Sequence, residues 1–229
     1  MSTDTTSQQH NILKGYNMLL YFAGTMIMYE PSEECIVDFW KNGILKKLPV
    51  SSSNPVFMRA ASQLRESCTD ESSSTKSMSE DFLRLFTRED LPIAPVYESF
   101  YKRSASEKRI SDESDVTEFY RSYGWKTKFR PGMKDDHLGV ELLFLTVLVE
   151  KYIVLDDEAC RGEMRNEIRR FIEQHILSWI PEWHQRVQAN SVTLSYKGIS
   201  SLIYASVEDI HSLLSDRKEQ YSQPAYLKN

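Results

Sequence analysis

Asp135, Asp136 and His137 stand together at the head of Lys134-Asp135-Asp136-His137-Leu138-Gly139-Val140-Glu141. Carboxylates beside an imidazole suit a divalent metal or an acid–base pair, since the imidazole exchanges its proton near neutral pH. They suit a plainer task equally well. An Asp at the start of a helix accepts the free N–H groups of the first turn and faces the positive end of the helix dipole. Recognition of a bound ligand is the third use. The spacing favours capping. A metal hydrolase needs further ligands at chelating distance, but His10, His175, His184 and His211 are scattered and form no H-E-x-x-H or H-x-x-x-H pair. Neither G-x-x-x-x-G-K nor G-x-G-x-x-G occurs, so no phosphate cradle is evident. Cys35, Cys68 and Cys160 are odd in number and far apart, with no C-x-x-C, and read as core residues of a protein in a reducing compartment. No catalytic residue, metal or cofactor is assigned; a metal- or nucleotide-dependent hydrolase using Asp135, Asp136 and His137 is the minority alternative.

A second constellation is aromatic. Tyr97, Phe100, Tyr101, Tyr120, Tyr123 and Trp125 cluster in sequence, the first of them just after Pro92 and Pro95. Aromatic rings offer large contact area at low rotamer cost, which suits them to gripping an apolar peptide and equally to filling a core. Glu98 lies among them and must either bond loop backbone or meet a cation.

The elements that position these residues are helical. Lys134 to Val149 passes from acids into the most apolar segment of the chain and predicts a central helix, with Asp135 or Asp136 as its cap. Glu141 interrupts the apolar run, which is too short for a membrane span. Before it, Ile12, Tyr16, Leu19, Leu20, Ala23, Met26 and Ile27 mark a helix stopped by Pro31. Ser32 starts a second, ending near Gly43, and Asn54-Pro55 a third. Met1 to about Thr6 should be loose, and Thr69 to Ser79 a mobile loop, with Ser77 and Glu80 forming a capping box for a fourth helix. Two prolines make residues 91–97 an ordered, non-helical segment. A helix through Val116 to Tyr123 closes at Gly124, and the basic residues 126–134 lead into the centre. Asp156 to Ile180 reads as one long amphipathic helix with His175 and Trp179 inward, broken by Pro181. Leu194 to Leu214 completes the bundle before residues 222–229 fray.

No stretch shows sustained period-two alternation. The expected fold is all-α: one domain spanning residues 1–229, roughly nine helices, with mobile loops near 69–79 and 102–113. With 41% hydrophobic and 27% charged residues, the chain has enough apolar content for that core. The net charge of −5, without a basic stripe, argues against nucleic acid and suits a cationic partner. The N-terminus has no secretory pattern, so the expected location is the cytoplasm.

Two stretches together resemble a known family. Leu91-Pro92-Ile93-Ala94-Pro95-Val96-Tyr97-Glu98-Ser99-Phe100-Tyr101 resembles the P-x-x-P-P-Y-E-S-V-Y segment of the TorD/DmsD-type redox-enzyme maturation chaperones. Asp136-His137 followed by Leu142 resembles their E-P-x-D-H-x-x-x-x-L signature, with Met133 and Lys134 standing where that family has Glu-Pro. Phe82 to Phe86, Phe119-Tyr120, Gly124-Trp125 and His175 to Pro181 fall in matching order, so the likeness spans most of residues 12–215. The resemblance implies a TorD-like helical chaperone of anaerobic respiration, not an enzyme. Its implied partners are the twin-arginine leader and the apo form of a DMSO/TMAO reductase-like molybdoenzyme, held back from export until the cofactor is inserted. An assembly chaperone for a non-exported molybdoenzyme subunit is the alternative.

A leader of that kind carries two guanidinium groups and then an apolar stretch, so its receptor needs carboxylates beside apolar surface. Glu98, Asp135 and Asp136 are the candidate acids. Tyr97, Phe100, Tyr101 and Trp125 are the candidate apolar lining, with Ser99 and Leu142 carried in by the motifs. His137, with an ordinary pKa of ~6.5, would orient Asp136 or bond leader backbone and make binding pH-sensitive. The oligomer is expected to be a monomer or a domain-swapped dimer, with hinges near Ser72 and Ser104.

Overall fold

The computed structural model describes residues 2–69, 74–87, 91–102, 115–126 and 132–215. Among these, ten α-helices follow one another and no strand occurs. They are α1 (Ser2–Met28), α2 (Glu33–Ile36), α3 (Pro55–Ser67), α4 (Thr75–Phe82), α5 (Glu98–Lys102), α6 (Asp115–Ser122), α7 (Leu138–Val154), α8 (Glu158–Phe171), α9 (Ile180–Asn190) and α10 (Leu194–Leu214). Three of them continue into wider π turns: α2 through Val37–Lys41, α4 through Leu83–Thr87 and α8 through Ile172–Ile176. The all-α expectation holds.

The sequence signals for helix starts act largely as expected. Ser32 accepts the Cys35 N–H, and Asn54 accepts the Val56 N–H with Pro55 in the first turn. Asn54 also donates to Glu208 and Asp209 at 3.1 and 3.0 Å, and the Tyr16 hydroxyl donates to Asp209 at 2.6 Å. One polar knot thereby ties α1 and α3 to α10. Gly43 and Gly124 adopt φ of 72° and 62°, the left-handed geometry expected where a helix closes.

Four expectations are corrected. α1 begins at Ser2, so the first residues are helical. α4 begins at Thr75 because Ser74, rather than Ser77, caps it by accepting the Ser77 N–H; residues 70–73 and 103–114, with Ser72 and Ser104, lie outside the described residues. The single helix expected over 156–180 is α8, its π turn and a tight turn at residues 177–179. Pro181 then starts α9 rather than ending its predecessor, since a first-turn residue needs no N–H. Cys160 is exposed, and Cys35 and Cys68 are half-buried, so none of the three is a fully buried core residue; all are free thiols.

The core forms where α1 packs on both α7 and α10 and α3 packs against α10. Phe144, Leu145, Leu148, Ile199, Leu202 and Ile203 have no exposed surface. Small residues bring helices close. A β-carbon on Gly198 would lie 2.7 Å from Leu64 of α3, and one on Gly139 would lie 2.2 Å from Met28 of α1. On the far side, buried Asp81 accepts from the Ser191 hydroxyl, from Val192 N–H and from both the N–H and hydroxyl of Thr193, anchoring the α9–α10 turn to α4. Burial pushes its pKa up, but these hydrogen bonds together with Arg84 outweigh that and hold it below the usual carboxylate value.

Candidate partner-binding site

Residues 91–97 cannot be helical, and their hydrogen bonds must therefore go elsewhere. The Ile93 and Ala94 N–H groups donate to the Arg84 and Leu85 carbonyls at 3.5 and 2.9 Å, and the end of the segment pairs with the residues that enter α7. The Glu98 N–H donates to the Asp136 carbonyl at 2.9 Å, the Leu138 N–H donates to the Val96 carbonyl at 2.7 Å, and Tyr97 and His137 form an antiparallel bridge. The two sequence motifs are thus zipped side by side. Ala94 and Val96 are buried beneath them, as expected for an ordered segment.

The acids and the histidine at the head of α7 serve that junction. The Asp136 carboxylate, 3% exposed, accepts the Ser99 N–H at 3.0 Å and so caps the neighbouring α5 instead of its own helix. The cap of α7 is His137, whose Nδ1 accepts the Gly139 N–H at 3.0 Å. This replaces the expected Asp cap. With Nδ1 accepting, the neutral ring carries its proton on Nε2. Burial pushes the His137 pKa down to about 4, so the ring stays neutral across the physiological range. The expected pH sensitivity through this histidine is thereby corrected. Tyr97 meets the imidazole edge-on at 5.3 Å, and its pKa is raised by burial and then by the Asp136 charge.

Glu98 is likewise buried, and it meets a cation. Its carboxylate pairs with Lys102 one turn on and lies 3.2 and 3.3 Å from Nδ1 of His175. His175 is buried in the π turn after α8; such widened turns recur at functional positions. Behind Glu98 lies Glu141 of α7, with no exposed surface and both carboxylate oxygens without a hydrogen bond. Burial raises its pKa well above 4.5, and repulsion from Glu98 and Asp136 adds to the rise. Lys102 and the Trp179 indole offset part of this, but the indole N–H already donates to the His175 carbonyl at 2.6 Å. Burial and repulsion thus favour the protonated, neutral form of Glu141.

The aromatic residues divide by exposure. Phe100 is 38% exposed, and Tyr101 is half-buried, stacked on Trp179 at 5.0 Å. The Arg186 guanidinium lies over both rings at 5.3 and 5.6 Å. Tyr97 is half-buried with the Lys134 ammonium 6.0 Å from its centroid. Trp125 is half-buried against Tyr120 and Phe144, and Tyr120 is a core residue whose hydroxyl donates to the Asp135 carbonyl at 3.1 Å. Asp135 is half-buried beside Thr117 of α6. Leu142 has no exposed surface and faces α1, so its place in the site is corrected to packing beneath it.

The structure thus brings Tyr97, Glu98, Ser99, Asp136 and His137 into direct contact, with Phe100 and Tyr101 beside them on α5. It sets Asp135 and Trp125 against α6. Sequence reasoning did not single out Lys102, His175 or Glu141 as parts of this cluster. For His175 a signal existed: a polar ring on the apolar face of a helix requires a buried partner, and Glu98 was the unplaced acid.

Among the described residues no group of three His, Cys, Asp or Glu side chains is arranged to hold a metal, and no helix is long and apolar enough to cross a membrane. Fold and site define an all-helical protein in which the conspicuous acids and histidine hold two segments together and leave aromatic side chains at the surface. Comparison with known proteins places it further. The profile of the nitrate reductase delta subunit family matches residues 54–185, more than half of the chain, and the protein belongs to that family. It is 28% identical over 142 residues to chaperone protein TorD of Psychrobacter sp. (strain PRwf-1), covering 61% of this chain and 62% of that one. It is 30% identical over 86 residues to the chlorate reductase assembly chaperone protein of Ideonella dechloratans, covering 37% of this chain and 44% of that one. The chain therefore matches less than two thirds of the length of either relative. The resemblance to TorD-type chaperones read from residues 91–101 and 136–142 is borne out.

Proposed function

We propose that this protein is a cytoplasmic redox-enzyme maturation chaperone of one domain, which binds the twin-arginine leader, the apo form of a molybdopterin-containing oxidoreductase, or both, and delays export until the cofactor is in place. The observation that carries this reading is the pinning of α5 by Asp136. It sets the exposed Phe100 and the half-buried Tyr101 and Tyr97 beside the Glu98 carboxylate. An acid next to apolar rings is what a guanidinium followed by an apolar stretch requires.

The roles divide by burial. Tyr97, Phe100, Tyr101, Trp125 and Asp135 keep exposed surface and contact the partner. Asp136, His137 and the Ser99 N–H hold the two segments in register. Calorimetric titration with the twin-arginine leaders of candidate molybdoenzymes, beside versions with both arginines changed to alanine, tests this. One leader should bind, and its alanine version should not. Equal affinity for both overturns the leader reading.

A second reading has its own support. An apolar cleft of about 630 Å³ runs along α1 past Met18, Tyr21, Phe22 and Met26, walled by Phe39. That surface suits an apolar segment of a folded client without any leader. One relative is named for the assembly of a reductase and the matched family for a reductase subunit, which suits an assembly role on the enzyme body. A protein that stays folded yet binds no leader places this reading first.

A further inference from the structure

Lys102 closes α5, and its ammonium contacts both a Glu98 carboxylate oxygen and the Gln174 carbonyl of the π turn. The lysine side chain is 39% exposed while that of Glu98 is 6% exposed, so the lysine is the member that meets solvent. The acceptors gathered behind it suit a wider set of donors than a point charge carries. Glu98 offers two oxygens, which also face Nδ1 of His175, and Gln174 offers a carbonyl. An ammonium is a compact point charge with three donors. A guanidinium is planar, presents five donors and matches a carboxylate two at a time.

Resting on the reading that an arginine-bearing segment is bound here, we propose that Lys102 is a resident competitor. Its ammonium occupies, on Glu98 and the Gln174 carbonyl, the position that an incoming guanidinium takes, and it must swing out before the arginine docks. The exposed stem permits that movement, and neighbouring Phe100 and Tyr101 already accept one guanidinium, that of Arg186, on their faces. A binding-competent state populated only part of the time weakens apparent affinity by that fraction. A lysine closed for about nine-tenths of the time costs about tenfold.

The test is titration of the whole protein with L-argininamide, read from the NMR signals of the His175 ring and the Trp179 indole. Lys102→Met should bind about tenfold more tightly than the native protein, Lys102→Arg more weakly, and Glu98→Gln not at all. Lys102→Met that binds no more tightly than the native protein overturns the proposal. Should that variant fail to fold, Lys102→Arg decides, and affinity equal to or above native overturns it. Leader titrations separate the two readings. Argininamide binding that tightens in Lys102→Met while neither protein binds a leader sustains the competitor role and removes the leader. Arginine-dependent leader binding that Lys102→Met leaves unchanged removes the competitor role alone.

Discussion

Glu141 gives the sharpest quantitative expectation. In the folded protein it is fully buried, unbonded and close enough to Glu98 and Asp136 to feel both charges, so it stays protonated well above its ordinary value of 4.5. In the unfolded chain it ionises at that ordinary value. Below pH 4.5 both states hold the proton and the residue contributes no pH dependence. Above 4.5 the unfolded state releases its proton and gains free energy that the folded state does not, so stability falls as pH rises, until the folded group also ionises. The slope is about 1.4 kcal/mol per pH unit. With an unfolding entropy of ~2.1 cal/mol/K per residue, a chain of this length loses about 3 °C in Tm per unit. Glu141→Gln is neutral in both states and nearly the same shape, so it removes this slope. Urea denaturation of both proteins across a pH series should give a stability gap that widens in favour of the variant by about that slope above pH 4.5. A gap that stays constant with pH refutes the argument, because it requires the buried acid to ionise at its ordinary value.

Other expectations concern the junction. Gly139→Ala puts a β-carbon 2.2 Å from Met28 Cγ and 3.0 Å from the Gly24 carbonyl; the methionine can turn aside, the carbonyl cannot, and a loss of about 1–3 kcal/mol should appear in the urea midpoint. An unchanged midpoint rules out that close contact. His137 should show a ring proton NMR titration centred near pH 4. Because its folded pKa lies below the unfolded 6.5, the stability it confers is present above 6.5 and disappears as pH falls towards 4, about 3 kcal/mol in all; a midpoint near 6.5 contradicts its burial. Asp136→Ala removes the acceptor for the Ser99 N–H, at a typical cap cost of about 1 kcal/mol, and hydrogen exchange of the α5 amides should quicken. Native-like protection there refutes Asp136 as the fastener of α5.

Helix starts set by local chemistry were readable from the sequence. Ser32 and Asn54-Pro55 cap the expected helices because the signal and its consequence lie within three residues. The central helix was readable too, since its uniform apolarity allows it no place but the core. What the sequence concealed is long-range. Asp136 could cap α7, but once the prolines deny residues 91–97 their own helix, the nearby Ser99 N–H captures that carboxylate instead. The pairing of Glu98 with His175 joins residues separated by 77 positions, which no local spacing encodes. Met133 and Lys134 replace the family's Glu-Pro, yet Asp136 and His137 still form the bridge, because the bridge uses backbone groups at Val96, Glu98 and Leu138 that any residue supplies.

Burying three carboxylates within reach of one another is expensive, and the structure meets that cost differently at each. Asp136 keeps its place through the backbone N–H it accepts, Glu98 through Lys102 and His175, and Glu141 by retaining its proton. The first two are fastenings whose partners lie on other elements, so they fix the position of α5 relative to α7 and the π turn. Glu141 fastens nothing, and an apolar residue of similar size would fill its site at lower cost. Its presence has a consequence where Glu98 is concerned. A cation arriving at Glu98 lowers the pKa of every acid nearby, so at neutral pH it favours release of the Glu141 proton, whereas exchange of one cation for another leaves the local charge unchanged. Arginine binding that displaces Lys102 is such an exchange and leaves the Glu141 proton in place, whereas binding that adds a guanidinium while Lys102 stays favours its release. Calorimetry of leader binding in buffers of different ionisation enthalpy distinguishes the two: a heat that varies with the buffer refutes displacement, and a heat that does not supports it.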